Sequence, residues 1–124
     1  MNKNVLDDTV LVETIMTAMR EKKADNIVHI NMDKIDTAVC SLFVITSAAS
    51  TVQVRAIADN IEEKVLEHLK RKMWRRQGDE NALWIILDYG SVVVHIFQTE
   101  CRKYYALEDL WADAEIVKFQ EDIA

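Results

Sequence analysis

An α/β domain, a mixed β-sheet packed with helices, is what this sequence predicts, on three observations. Two long stretches, near residues 5–19 and 54–69, repeat apolar residues at helical spacing. Four shorter runs, NIVHINM, AVCSLFVIT, ALWIIL and VVVHIF, carry the branched and aromatic residues of strands. Their order, helix, strand, strand, helix, strand, strand, helix, puts both kinds of element around one core.

In the first helix Val5, Val12, Ile15, Met16 and Met19 share a side. Asp7 and Asp8 near its start and Arg20, Lys22 and Lys23 near its end follow the order that the helix dipole favours. In NIVHINM, Val28, Ile30 and Met32 alternate with His29 and Asn31, as in a half-buried strand. AVCSLFVIT is a more continuous apolar run and predicts a more central strand. The connection through Asp33, Lys34 and Asp36 is too short for a parallel crossover, so these two strands are expected to be antiparallel neighbours.

Ser50-Thr51-Val52-Gln53 reads as a capping box opening the second helix, with Ser50 accepting a free backbone N–H and Gln53 reaching back. Its apolar face is Val54, Ile57, Ala58, Ile61, Val65 and Leu69. Within it, Arg55 and Asp59 stand at pairing distance. Lys70, Arg71, Lys72, Arg75 and Arg76 crowd its end, either as a phosphate contact or as a solvated helix terminus. Gly78, Asp79, Glu80 and Asn81 form a loop. ALWIIL and VVVHIF then flank Asp88-Tyr89-Gly90-Ser91, which fits a β-hairpin with glycine free to take positive φ. Thr99 to Tyr105 and Leu107 to Ala114, the latter with Trp111, fit short helices.

With 124 residues, half of them hydrophobic, the chain suits one domain. Lys and Arg number 15 against 21 Asp and Glu; the net charge of −6 disfavours broad binding to phosphate backbones and makes a basic protein the more natural partner. Cys40 and Cys101 lack metal-ligand spacing, and no signal-peptide pattern opens the chain, which predicts reduced thiols in the cytoplasm. No window approaches the ~18 apolar residues of a membrane span.

Candidate chemistry is sparse. Cys101 with His95 offers a nucleophile and a base, and His29 or His68 a metal ligand, but three scattered histidines carry no ligand spacing. His68, on the apolar side of its helix, is expected to be a partly buried core residue. His95 shares a strand face with Val93 and Phe97 and is either packed or part of a surface beside the turn. Trp84 and Trp111 suit a core or an interface, and Tyr104 and Tyr105, beside Arg102 and Lys103, share that ambiguity.

Three blocks, VITSAASTVQVRAIADNI, WIILDYGSVVVHIF and ECRKYYALEDLW, in this order and at these separations, closely resemble the ribosomal silencing factor family, also called Iojap-related. The resemblance runs from about Val5 to Ala114, taken as the domain 1–114, and leaves 115–124 as a tail with no assigned role. It implies a fold related to nucleotidyltransferases. It also implies binding to the large ribosomal subunit through ribosomal protein L-fourteen, at the face that meets the small subunit. Subunit joining would then be obstructed and translation damped when nutrients are short. The resemblance moves Trp84, Asp88, Tyr89, Gly90 and His95 toward the partner-binding surface, and Tyr104, Tyr105 and Trp111 partway. Direct RNA contact is expected to be at most minor, and a homodimer of the free protein stays open.

The chain departs from the family pattern at Ser41-Leu42-Phe43, at Ser47-Ala48-Ala49-Ser50, where Ala48 replaces a glycine, and at Ser91, where an acid is common. The related fold makes a degenerate or cryptic nucleotidyltransferase the rival reading. Such an enzyme needs a Gly-Ser turn for phosphate and two acids sharing a face of the next strand to hold Mg²⁺. Gly90-Ser91 supplies the first, but Val92 to Phe97 contains no acid. The acid pair Asp113-Ala114-Glu115 falls far downstream in an expected helix, where residues two apart do not share a face. The expectation is therefore a binding protein without catalytic residues, metal or cofactor.

Overall fold

The structure, a computed structural model, describes residues 2–31, 42–105 and 115–118, with side chains over 8–31 and 42–102. The elements are α1 (Asn2–Glu21), β1 (Asp25–Asn31), β2 (Leu42–Ala48), α2 (Thr51–Leu69), β3 (Arg75–Gln77), β4 (Trp84–Asp88), β5 (Val92–Gln98), α3 (Thr99–Tyr105) and β6 (Glu115–Lys118). Among the described residues the six strands form one sheet in the order β3-β4-β5-β2-β1-β6. Only β2 and β5 run parallel; β1 pairs with β2, β1 with β6, β3 with β4 and β4 with β5 in antiparallel fashion.

Strand alternation divides the sheet into two faces. On one, Val44, Ala48, Ile85, Leu87, Tyr89, Val92, Val94 and Ile96 pack beneath Leu11, Ile15 and Met19 of α1 and Val54, Ile57, Ile61 and Val65 of α2. On the other, Val28, Ile30, Ile45 and Phe97 form a smaller cluster with Phe43, Trp84 and Cys101. The expected antiparallel β1–β2 pair, the central position of β2 and the β4–β5 hairpin are all present. Ala48 ends β2 in the core and has no positive φ, so the missing glycine costs nothing there.

Polar side chains join the helices differently from the sequence expectation. Ser50 caps α2 as predicted, accepting from Gln53 N–H at 3.1 Å. The Gln53 amide, however, donates to the carbonyls of Lys22 and Lys23, where α1 ends. Those residues close α1 in a Schellman turn: Ala24 N–H reaches Met19 O, Lys23 N–H reaches Arg20 O, and Lys23 takes φ +58°. A distant pair of unsatisfied carbonyls outcompeted the local box. Likewise Arg55 donates to the carbonyls of Asp79 and Glu80, leaving Asp59 to pair with Arg76. Asn60, buried, donates to Ala18 O and Glu21 Oε1 of α1.

Four further expectations are corrected. Because α1 begins at Asn2, Asp8 lies beyond its first turn, and instead of serving the dipole it accepts from Ser91 Oγ at 2.6 Å. His68 is exposed beside Glu67 rather than partly buried. The basic residues 75–76 belong to edge strand β3, not to a helix end. Residues 115–118, read as tail, form β6 against β1, so Glu115 opens a strand and not the end of a helix. The helix expected from Leu107 to Ala114 lies outside the described residues.

Gly78 and Gly90 both hold positive φ, +97° and +90°, with different surroundings. A Cβ on Gly78 would lie 2.0 Å from the Trp84 carbonyl oxygen, whereas one on Gly90 would meet Trp74 Cζ2 at 3.4 Å, an ordinary contact. Gly90→Ala should therefore cost about 1–2 kcal/mol, the conformational part alone, and Gly78→Ala about 3 kcal/mol or more, since backbone must move as well. Urea denaturation midpoints of the two variants check the order.

Candidate partner-binding surface

The hairpin at the heart of the predicted surface is built by its turn. Tyr89 N–H donates to Val92 O at 2.9 Å, leaving Gly90 and Ser91 as the two-residue loop. Positive φ at the first of them and not at the second is the pattern of a II′ turn, whose twist matches the strands it joins. Asp88 Oδ1 accepts from Gly90 N–H at 2.8 Å and holds the loop from within. Neighbouring segments hold it from without: Trp74 N–H donates to Asp88 O, Arg71 to Tyr89 O, Leu42 N–H to Ser91 O, and Ser91 Oγ to Asp8.

Register then lays the second face of the sheet out in rows. One runs Arg75, Asp88, Val93, Phe43, Ile30; the next runs Gln77, Ile86, His95, Ile45, Val28; Trp84 and Phe97 lie opposite each other with Ser47. The first two rows pass from polar at the β3 edge to buried and apolar at β1. At the transition Trp84 Nε1–H donates to His95 Nδ1 at 3.0 Å, and the indole stacks on Phe97 with ring centroids 4.9 Å apart. Phe43 meets the imidazole edge-on at 4.7 Å. Since an indole N–H only donates, His95 is neutral at Nδ1 and carries its proton on Nε2. That nitrogen is buried and has no partner among the described residues. Burial also lowers the imidazole pKa to about 4.

Of the predicted residues, Trp84, Asp88 and His95 come together on this face, with Gly90 at its end. His95 is 6% exposed, so the packed alternative describes it, and it acts on the surface by fixing Trp84. Tyr89 is corrected: strand parity turns it with Ile85 and Leu87 into the helix-covered core, where it is 2% exposed and burial holds its hydroxyl above the ordinary range. It offers no contact area in this fold. Tyr104 and Tyr105 lie in α3, but their side chains, and all of Trp111, lie outside the described residues. Sequence reasoning passed over Ile86, half-buried one row from Trp84, Val93, half-buried opposite Asp88, and Trp74, which is 80% exposed. Trp74 had a signal, an aromatic among cations with no acid nearby.

The turn is poorly made for a nucleotide. Ser91 Oγ is engaged by the Asp8 carboxylate, whose charge opposes a phosphate. Glu115, in edge strand β6, is three strand spacings, roughly 14 Å, from β5. Glu115 opens a strand at that distance, and Asp113 lies outside the described residues. Among the described residues no group of three or more His, Cys, Asp or Glu is placed to hold a metal ion, and no helix is long and apolar enough to cross a membrane.

Comparison with known proteins gives this fold a family. Residues 6–124 match the family model described as ribosomal silencing factor during starvation. The ribosomal silencing factor RsfS of Halalkalibacterium halodurans is 37% identical over 110 residues, covering 89% of this chain and 92% of that protein. The same factor of Bacillus subtilis is 34% identical over 106 residues, 86% of this chain and 88% of that protein. A crystal structure of a Chromobacterium violaceum protein superposes with a TM-score of 0.78 at 26% identity, covering 84% of this chain and 85% of that one. More distantly, mouse mitochondrial assembly of ribosomal large subunit protein 1 is 28% identical over 103 residues, 81% of this chain and 44% of that protein. The chain belongs to the ribosomal silencing factor family. The match extends through β6, past the limit at Ala114 drawn from sequence.

Burial of His95 makes stability depend on pH. In the unfolded chain a histidine takes up its proton near pH 6.5, in the folded chain only near pH 4. This contribution to stability is therefore complete above pH 6.5 and is lost as pH falls from 6.5 to 4, by about 1.4 kcal/mol per pH unit. Ring NMR should show His95 neutral, with the Nε2–H tautomer, down to about pH 4. A stability curve of His95→Phe should lack that part of the slope.

Proposed function

We propose that the chain binds the large ribosomal subunit through ribosomal protein L-fourteen and, by occupying the face that meets the small subunit, blocks subunit joining and represses translation. Family membership supports association with the ribosome, and the name of the mouse relative supports the large subunit. The observation that carries the site is the Trp84 indole, held by His95 and stacked on Phe97 at the border between buried and solvated sheet. A side chain already fixed loses little entropy on binding, which is what a contact anchor needs. Ile86, in the next row, continues the apolar strip, and Asp88 can meet a cation of a basic partner.

The action is stoichiometric and not catalytic on this reading, because the Gly90-Ser91 turn is committed to Asp8 and no acid lies on β5. The rival nucleotidyltransferase reading requires Mg-nucleotide binding, which calorimetry would detect.

Cosedimentation with isolated large subunits, small subunits and joined ribosomes tests the partner; selection for free large subunits is expected. In the same assay Trp84→Ala should weaken binding about thirtyfold, equivalent to about 2 kcal/mol for a central aromatic, while Glu63→Ala, on the exposed side of α2, leaves it unchanged. Equal binding by folded Trp84→Ala and parent would displace the site from this face.

The mode of action is checked by titrating the protein against a fixed amount of large subunit, well above the dissociation constant, while following joining by light scattering. Inhibition should break near one protein per subunit and be reversed by removing the protein. Silencing of the whole pool by a small fraction of an equivalent would mean catalytic modification.

A further inference from the structure

The cations of residues 70–76 fall into two sets. Arg76 is spent internally: it donates to Asp79 through two nitrogens and reaches Asp59 and Glu62, at 2.6 to 3.1 Å. Lys70, Lys72 and Arg75, close by, are exposed, and among the described residues no carboxylate stands within ion-pair distance of them. Arg71 donates to a carbonyl, not to an acid. The run Lys70-Arg71-Lys72-Met73-Trp74-Arg75 holds no acid in a chain of net charge −6.

Its backbone is fixed although its side chains are solvated. Lys70 caps α2 in the left-handed region, its N–H on Leu66 O. Met73 packs inward against the main core, and Trp74 N–H bonds Asp88 O at 2.7 Å. The Trp74 indole leans on the Gly90 turn, where its Cζ2, Cε2 and Cη2 lie 3.4 to 3.6 Å from the position of an added Cβ, yet the residue is 80% exposed. An indole supported on one side, solvated on the other and set among cations with no acid partner among the described residues is poorly matched to an apolar protein hot spot, which is ringed by contacts that exclude water. It matches a nucleic acid, in which an unstacked base lies on an aromatic ring while flanking phosphates meet Lys and Arg.

We propose that the 70–75 segment is an RNA contact: Trp74 stacks an unpaired base of the large subunit's ribosomal RNA, and Lys70, Lys72 and Arg75 meet the adjoining phosphates. This rests on the ribosome reading above and revises the expectation that direct RNA contact is minor, since an acidic total excludes a broad basic face and not a local one. Arg75 shares a row with Asp88, so the RNA contact borders the surface proposed for the ribosomal protein.

The test uses the full chain and purified large subunits at fixed Mg²⁺ over a series of KCl concentrations, with parent, Trp74→Ala, Trp74→Tyr and Lys72→Glu/Arg75→Glu, each shown to be folded by its thermal melt. Trp74→Ala should weaken binding about tenfold and Trp74→Tyr should retain most of it. The double charge variant should bind more than tenfold more weakly at low salt. Its plot of log affinity against log salt should flatten by about 1.4 or more, from two lost phosphate contacts. Ultraviolet crosslinking of the parent complex should leave a ribonucleotide adduct on the peptide containing Trp74. If the parent binds and the variants match it in affinity and salt slope, the inference fails while the ribosome reading stands. A Trp74 crosslink to protein alone also overturns it, in favour of an acidic protein partner. A parent that does not bind large subunits sinks both.

Discussion

Everything in this fold follows from pairing β2 and β5 parallel at the centre of the sheet. Parallel neighbours need a crossover, and the chain between them spends it on α2, β3 and β4 before β5 arrives. Central strands are also covered on both faces, and Val44, Ile45, Thr46 and Ser47 of β2 are all essentially inaccessible. Helices α1 and α2 cover one face with the larger cluster. On the other, Arg102 of α3 is buried against Ser47 Oγ and the Asn26 carbonyl, satisfying polar atoms that the strands leave behind.

Register transmits that central constraint outward. Once Ile45 stands beside His95, Ile86 and Gln77 complete the same row, and Trp84 falls opposite Phe97. The histidine is consequently desolvated and neutral, and a neutral ring can accept the indole N–H that a charged one would refuse. Burial at the centre thus fixes the position of a tryptophan at the border of the solvated sheet.

Charge is allotted by the same geometry. The crossover brings β3 alongside α2, and there Arg76 finds three carboxylates; its hydrogen bond to Asp79 raises its own proton affinity and lowers that of Asp79. With those acids occupied, the cations just before Arg76 face solvent. Asp8 is taken by Ser91, which removes a carboxylate from the surface and a hydroxyl from any phosphate site.

The sequence by itself determined the elements whose causes are local. Helical spacing placed α1 and α2, Ser50 placed the start of α2, and alternation around Gly90 placed the hairpin, because each depends on residues within a few positions of one another. Three blocks of residues were enough to show the family. Strand parity even held the inward turn of Tyr89, which reading the four turn residues as one surface obscured. Tertiary structure alone decided where long side chains with several possible partners went. Gln53 left its capping box for α1, Arg55 left Asp59 for the loop at 79–80, and His95 met Trp84 across a strand pair. It also decided that β3 and β6, short edge strands of three and four residues, pair at all, since a strand that short is specified by its neighbour and not by its own pattern. The physical reason is the same throughout: backbone periodicity is written in adjacent residues, whereas the partner of a hydrogen bond or a charge is chosen by whatever the fold brings within three ångströms or so.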